Sequence, residues 1–160
     1  MKNYSLILTM LFGFLSLNLN AQDTKKQKQE ATSQHIKAAI ESGKFIFKAQ
    51  SATPSKGGII QLTSGYQVSV VPEEIVSDLP YYGRGFSGGY GGSDGGINFT
   101  SKSFDYSVKS KKKGGWDVTI IPSDVSQIVK IFISVTGGGY ATMRISSTDR
   151  DAISYSGVIE

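Results

Sequence analysis

The chain has 160 residues, 39% of them hydrophobic and 19% charged, which suits one folded domain and excludes a disordered tail or a bundle of membrane helices. It has no cysteine and one histidine, so disulfide scaffolds, thiolate metal sites, cysteine nucleophiles and a multi-histidine metal centre within one chain all fall away. The formal charge is +4, and 19 glycines stand well above the usual share of roughly 7%.

Residues 1–21, MKNYSLILTMLFGFLSLNLNA, have the three parts of a secretory signal peptide. Lys2 is the positive start, Ser5 to Leu17 the apolar centre, and Leu19-Asn20-Ala21 offers a small residue before a cut at Gln22. The apolar run is short for a helix that needs about 20 residues to cross a bilayer. No cysteine follows for a lipid anchor. The expectation is an exported protein, soluble in the periplasm or outside the cell, with no stable membrane insertion after cleavage.

Residues 22–34, QDTKKQKQEATSQ, form a polar lead-in without a large apolar side chain. A helix is predicted from about Lys26 to Ser42. Ala31, His35, Ala38 and Ala39 recur at three-to-four spacing, with Ile36 and Ile40 on a neighbouring stripe and Gly43 as the C-cap. Residues 35–160 then read as a single β-rich domain that includes the end of this helix.

From Lys44 the period changes to two. Apolar residues alternate with polar ones in nine segments, which begin near Lys44, Ile60, Tyr66, Ile97, Phe104, Trp116, Val129, Ala141 and Ile153. One apolar face per segment is the mark of antiparallel sheets with a wet outer side. Thr63-Ser64-Gly65, Lys111 to Gly115 and Gly137-Gly138-Gly139 read as hairpin turns. The predicted fold is mainly β: an antiparallel barrel or barrel-like sheet of eight or nine strands, connected up and down, with one N-terminal helix. The predicted inward set is Phe45, Phe47, Leu62, Val68, Phe99, Trp116, Val118, Ile131, Ile133, Met143, Ile145 and Tyr155.

The stretch Leu79 to Gly96, LPYYGRGFSGGYGGSDGG, is the most unusual. Gly83, Gly85 and Gly88 spell G-x-G-x-x-G, but a dinucleotide site needs that motif between a strand and a helix, and no helix can start among the glycines that follow. The reading is a bent edge strand and loop, whose aromatics Tyr81, Tyr82, Phe86 and Tyr90 pack across the sheet surface or meet a ligand, with Arg84 available for a carboxylate or phosphate. The lysine runs at 25–28 and 109–113 read as a solvated tail and a soluble hairpin tip. They lack the interleaved aromatics that nucleic-acid binding wants. His35 has no catalytic partner at a telling spacing. Asp149 and Asp151, which flank Arg150, read as turn charges.

The signal peptide, the Gly65-Tyr66 turn, Leu79-Pro80-Tyr81-Tyr82-Gly83-Arg84, Gly95 to Phe99, Lys113 to Trp116 and Ile153 to Ile159 together resemble the secreted bacterial family known as domain of unknown function 4251. The resemblance implies an envelope protein with a lipocalin-like β-barrel or barrel-like sheet. It implies no established activity and carries over no catalytic residue.

The functional expectation is therefore a non-catalytic module, without cofactor or metal. It would bind a small amphipathic molecule or an envelope protein or glycan, and no nucleic acid. Tyr81, Tyr82, Arg84, Phe86 and Tyr90 are the candidate contacts. The alternative is a structural or interaction domain whose barrel is filled by its own side chains. Carboxylate-only hydrolysis is left standing by this composition. Oligomeric state is not legible in the sequence.

Overall fold

In a computed structural model, which describes residues 25–63, 65–85, 95–112 and 114–160, the polar lead-in is helical from Lys25 on, and helix α1 spans 25–42. The signal-peptide segment 1–21 lies outside the described residues. The buried stripe of α1 is short, with Ile36 and Ile40 facing in and His35 exposed. The helix ends in a Schellman motif. Gly43 takes φ 65°, its N–H donates to the Ile40 carbonyl at 3.2 Å, and the Lys44 N–H donates to the Ala39 carbonyl at 3.0 Å.

The strands are β1 (Phe45–Pro54), β2 (Ile60–Gln61), β3 (Gln67–Val71), β4 (Glu74–Leu79), β5 (Ile97–Ser101), β6 (Phe104–Ser110), β7 (Trp116–Pro122), β8 (Ile128–Val135), β9 (Tyr140–Ser147) and β10 (Ile153–Ile159). They form one antiparallel sheet in the order β5-β4-β3-β1-β10-β9-β8-β7-β6, with β2 pairing the far half of β1. Apart from β3 and β1, which have the short β2 between them in the chain, path neighbours are sequence neighbours with one exception. That exception is the pair of β1 and β10, which joins the two ends of the domain through Phe47↔Ile159 to Pro54↔Ile153.

The two ends of this path, β5 and β6, are not strangers. Eight antiparallel steps separate them, so they run in the same direction, and only Lys102 and Ser103 lie between them in the chain. They act as two halves of one bent strand, the first half paired to β4 and the second to β7. The sheet is thus a nearly closed up-and-down barrel, whose wall is joined at the bend by covalent chain rather than by a ladder.

Asp124 holds the bend. Its carboxylate accepts hydrogen bonds from the Ser101 hydroxyl (2.5 Å), the Lys102 N–H (2.7 Å) and the Ser103 N–H (3.1 Å). These bonds, the Ser101 hydroxyl first, pull the carboxyl pKa below its ordinary value of 3.8. A carboxyl with a lower pKa in the folded state contributes stability above its unfolded pKa and loses it as pH falls through the folded value. Asp124→Asn removes the charge, and it keeps one carbonyl oxygen for the two backbone donors only by setting its amide nitrogen where the Ser101 hydroxyl now donates. The variant should melt below the wild type at neutral pH, and the gap should shrink as pH falls below the unfolded carboxyl value of about 4. A gap that is constant across a thermal-melt series in pH would show that the carboxylate charge does not hold the bend.

The interior is filled. Phe47, Val68, Val118, Ile131, Ile133, Met143, Ile145 and Tyr155 are all fully buried, and each buried isoleucine contributes about 2 kcal/mol by leaving water. Of the predicted inward set, Phe45 and Trp116 are buried as well, whereas Leu62 and Phe99 are partly covered. α1 lies across one end of the barrel. Ile36 packs against the β8–β9 turn at Gly139, and the Tyr106 hydroxyl of β6 donates to the Ile40 carbonyl. Burial there pushes the Tyr106 pKa up to about 12.

Three local expectations are corrected. A strand forms at 74–79 that the alternation does not announce, because Ser77 occupies an inward position and breaks the apolar pattern. The structure tolerates it since its hydroxyl donates to the Ile97 carbonyl at 2.6 Å. Thr63 to Gly65 does not make a hairpin between its flanking strands. Both β2 and β3 pair with β1, one after the other, so the segment interrupts a single run along one edge. Val129 does not face inward: a register shift between Ile128 and Lys130 gives that place to Ile128 and leaves Val129 exposed.

Candidate functional site

The Leu79–Arg84 segment leaves β4 and is fastened to the β9–β10 connection. Leu79 is buried. The Pro80 carbonyl accepts the Tyr155 hydroxyl from the barrel interior at 2.7 Å. The Tyr81 hydroxyl lies 2.9 Å from the Arg84 carbonyl and 3.1 Å from the Asp151 carbonyl. The Arg84 carbonyl also accepts the Asp151 N–H at 3.0 Å, and Gly85 bridges Arg150. Burial, and next the Asp151 charge, raise the Tyr81 pKa above 10.0, with Arg150 working in the opposite sense.

Arg150 is the centre of this arrangement. Its guanidinium carbon sits 4.9 Å over the Tyr81 ring centroid, a cation–π contact. One terminal nitrogen donates to the Gly96 carbonyl at 3.1 Å, and the other pairs with the Asp149 carboxylate at 3.1 Å. Both side chains of the ion pair are about one-quarter exposed. The guanidinium therefore ties together three stretches: the start of the glycine-rich segment, its return at Gly96 and the β9–β10 loop.

Beside Arg150 opens a cleft of about 420 Å³. One wall is Gly96 to Phe99 of the β5 region, the opposite wall is Val125, Gln127 and Ile128, and Asp149 with Arg150 close one side. It lies where the barrel wall lacks a ladder, beside the edge of β5 that β6 does not pair. Asn98, Gln127, Asp149 and Arg150 bring polar groups to it, and Ile97, Phe99, Val125 and Ile128 bring apolar surface.

Of the candidate contacts from sequence, Tyr81 and Tyr82 are partly buried and pack against the core, and Arg84 is exposed. Phe86 and Tyr90 lie outside the described residues. Tyr81 spends its hydroxyl on backbone carbonyls, so it braces the segment. Sequence reasoning missed Arg150, Asn98 and Gln127. The Asp-Arg-Asp run was visible, but nothing local told that Arg150 would lie over an aromatic ring almost 70 residues earlier.

Among the described residues no cluster of three or more histidine or acidic side chains is placed to hold a metal ion, and no helix is long and apolar enough to cross a membrane. The G-x-G-x-x-G glycines that are described, Gly83 and Gly85, lead into a bridge with Arg150.

The chain is similar in fold to the crystal structure of a DUF4251 family protein from Bacteroides eggerthii DSM 20697, with a TM-score of 0.60 and 19% sequence identity. The alignment covers 81% of this chain and 87% of that one. No curated protein matches the chain. The sequence profile of the family described as Domain of unknown function (DUF4251) matches residues 27–159, nearly all of the β-domain together with most of α1, and the chain belongs to that family.

Proposed function

We propose that this is an exported, non-catalytic binding module of the cell envelope that holds a small amphipathic molecule in the cleft beside Arg150, rather than inside the barrel. The observation that carries the reading is the filled interior: with Phe47, Met143 and Tyr155 fully buried, a ligand has to be met at the wall. The cleft has the size of small-molecule sites, which run from about 300 to 1,000 Å³, and their mix of apolar lining with a few polar groups. Arg150 is already paired with Asp149, so the fitting head group is a neutral hydrogen-bonding one rather than a bare anion. A protein partner is the second reading, favoured by Ile121 and Val129, which leave apolar surface exposed on the adjoining strands β7 and β8.

Native mass spectrometry of protein purified from its own host tests the first reading. The expected result is a co-purifying species of small-molecule mass. Gln127→Trp, at an exposed loop position on the cleft wall, should remove that species while leaving the circular dichroism spectrum unchanged. A clean apo mass for the wild type, or a species retained in the variant, would show that the cleft is not the site.

A further inference from the structure

The charge of this protein is distributed unevenly, and the fold gathers the excess at one end. Residues 25–34 carry three lysines and one acid, and residues 109–115 carry four lysines and no acid. These two short segments hold six net positive charges in a chain whose formal total is +4, so the remainder of the molecule is net negative.

The segments are distant in sequence and meet at the barrel end that α1 covers. The helix packs along the β8–β9 turn, where Gly137 lies against Ser33 and Gly139 against Ile36. Lys25 and Lys28 line an open groove of about 660 Å³ whose other wall is Gly137 and Gly138. On the other flank of the same turn stands the neck of the lysine hairpin. A Cβ on Gly115 would lie 3.2 Å from the Thr136 Cα and would run into the Val135 carbonyl. Lys25, Lys26, Lys28, Lys109 and Lys112 are all exposed. Lys111 alone among the described lysines of these segments is engaged, at 3.0 Å from Asp117.

A second observation comes from the turn itself. Tyr140, the first residue of β9, is 67% exposed beside Gly138, the most exposed large side chain but one among the described hydrophobics. An aromatic ring with a polar tip, on a turn that Lys25 and Lys28 also line, matches the composition of surfaces that rest at the lipid–water boundary.

We propose that this end of the barrel, with Tyr140 at its rim and the α1 lysines, Lys109 and Lys112 around it, is a docking face for a membrane surface rich in anionic lipid. The contact is peripheral. The lysines are held within about a Debye length of the phosphate plane, and the tyrosine ring enters the head-group layer. The face lies away from the cleft beside Arg150, so either assignment can fail without the other.

Vesicle co-sedimentation of protein purified from its host reads this directly. With vesicles of about 30% phosphatidylglycerol in phosphatidylcholine at low salt, the protein should sediment. Raising NaCl to about 0.5 M should cut the bound fraction at least about tenfold. Pure phosphatidylcholine vesicles should leave the protein in solution. Lys28→Glu combined with Lys112→Glu should reduce binding about tenfold at low salt with an unchanged circular dichroism spectrum. Lys130→Glu, a reversal on β8 outside both segments, should retain most of it. Equal sedimentation with neutral vesicles, equal loss in the Lys130→Glu control, or capture by soluble dextran sulfate without capture by vesicles would each overturn the proposal.

Discussion

Gly157→Ala should destabilise the protein by about 3 kcal/mol or more, read as a fall in the urea midpoint with little change of slope. Gly157 sits on β10 opposite Ala49, next to the register shift between Ala49 and Ser51 on β1. A Cβ there would run into the Lys48 carbonyl oxygen, and it would lie 2.9 Å from the carbonyl carbon behind it and 3.1 Å from the Ala49 Cα. Those atoms are backbone in the ladder that joins the first strand to the last. No rotamer change can move them aside, so the strands must separate locally. Gly58→Ala is the control, since no atom lies within 4 Å of its Cβ position, and it should shift stability by less than about 0.5 kcal/mol. A Gly157→Ala midpoint equal to that of the wild type would mean that the β1 bulge re-forms elsewhere without cost.

Tyr155 carries the second large effect, in two separable parts. Its ring is fully buried in the barrel, so Tyr155→Ala should cost about 4 kcal/mol through lost transfer energy and the cavity left behind. Tyr155→Phe keeps the ring and removes the 2.7 Å hydrogen bond to the Pro80 carbonyl, leaving that acceptor unmatched at a cost of about 1–2 kcal/mol. The phenylalanine variant should also speed amide exchange over residues 81–84 more than over β8 and β9, because the bond fastens the Leu79–Arg84 segment to the core. Burial pushes the Tyr155 pKa well up, so the hydroxyl stays a donor throughout the physiological range. Uniform exchange in Tyr155→Phe would show that the segment is held by the Arg150 contacts alone.

What the sequence by itself determined is whatever depends on neighbours two to four residues away. The period-2 alternation in 45–49, 116–120, 131–135 and 141–145 marks the inward faces of β1, β7, β8 and β9, because successive side chains on a strand must point to opposite sides. Gly43 marks the end of α1, since a left-handed residue there closes the last carbonyls. The run LPYYGR stands out as a segment, and the short connections announce an up-and-down order.

What only the tertiary structure decided is whatever depends on strands meeting across the chain. The Ser77 hydroxyl fits an inward position because β5 brings the Ile97 carbonyl to it 20 residues later, so the alternation fails at β4 while the strand does not. Ile128 displaces Val129 from the core because pairing with Ser147 sets the register there, whereas the alternation within β8 points to Val129. The bend at Lys102 and Ser103 becomes the join of the barrel wall only because Asp124 reaches it from the β7–β8 loop. Arg150 becomes the centre of the candidate site for the same reason. A charged residue in a turn has no local signature of the ring, the carbonyl and the cleft that folding brings to it. Hydrophobic periodicity is a local property of the chain, whereas a site at the seam of a barrel is made from the ends of strands that are neighbours only after the barrel closes.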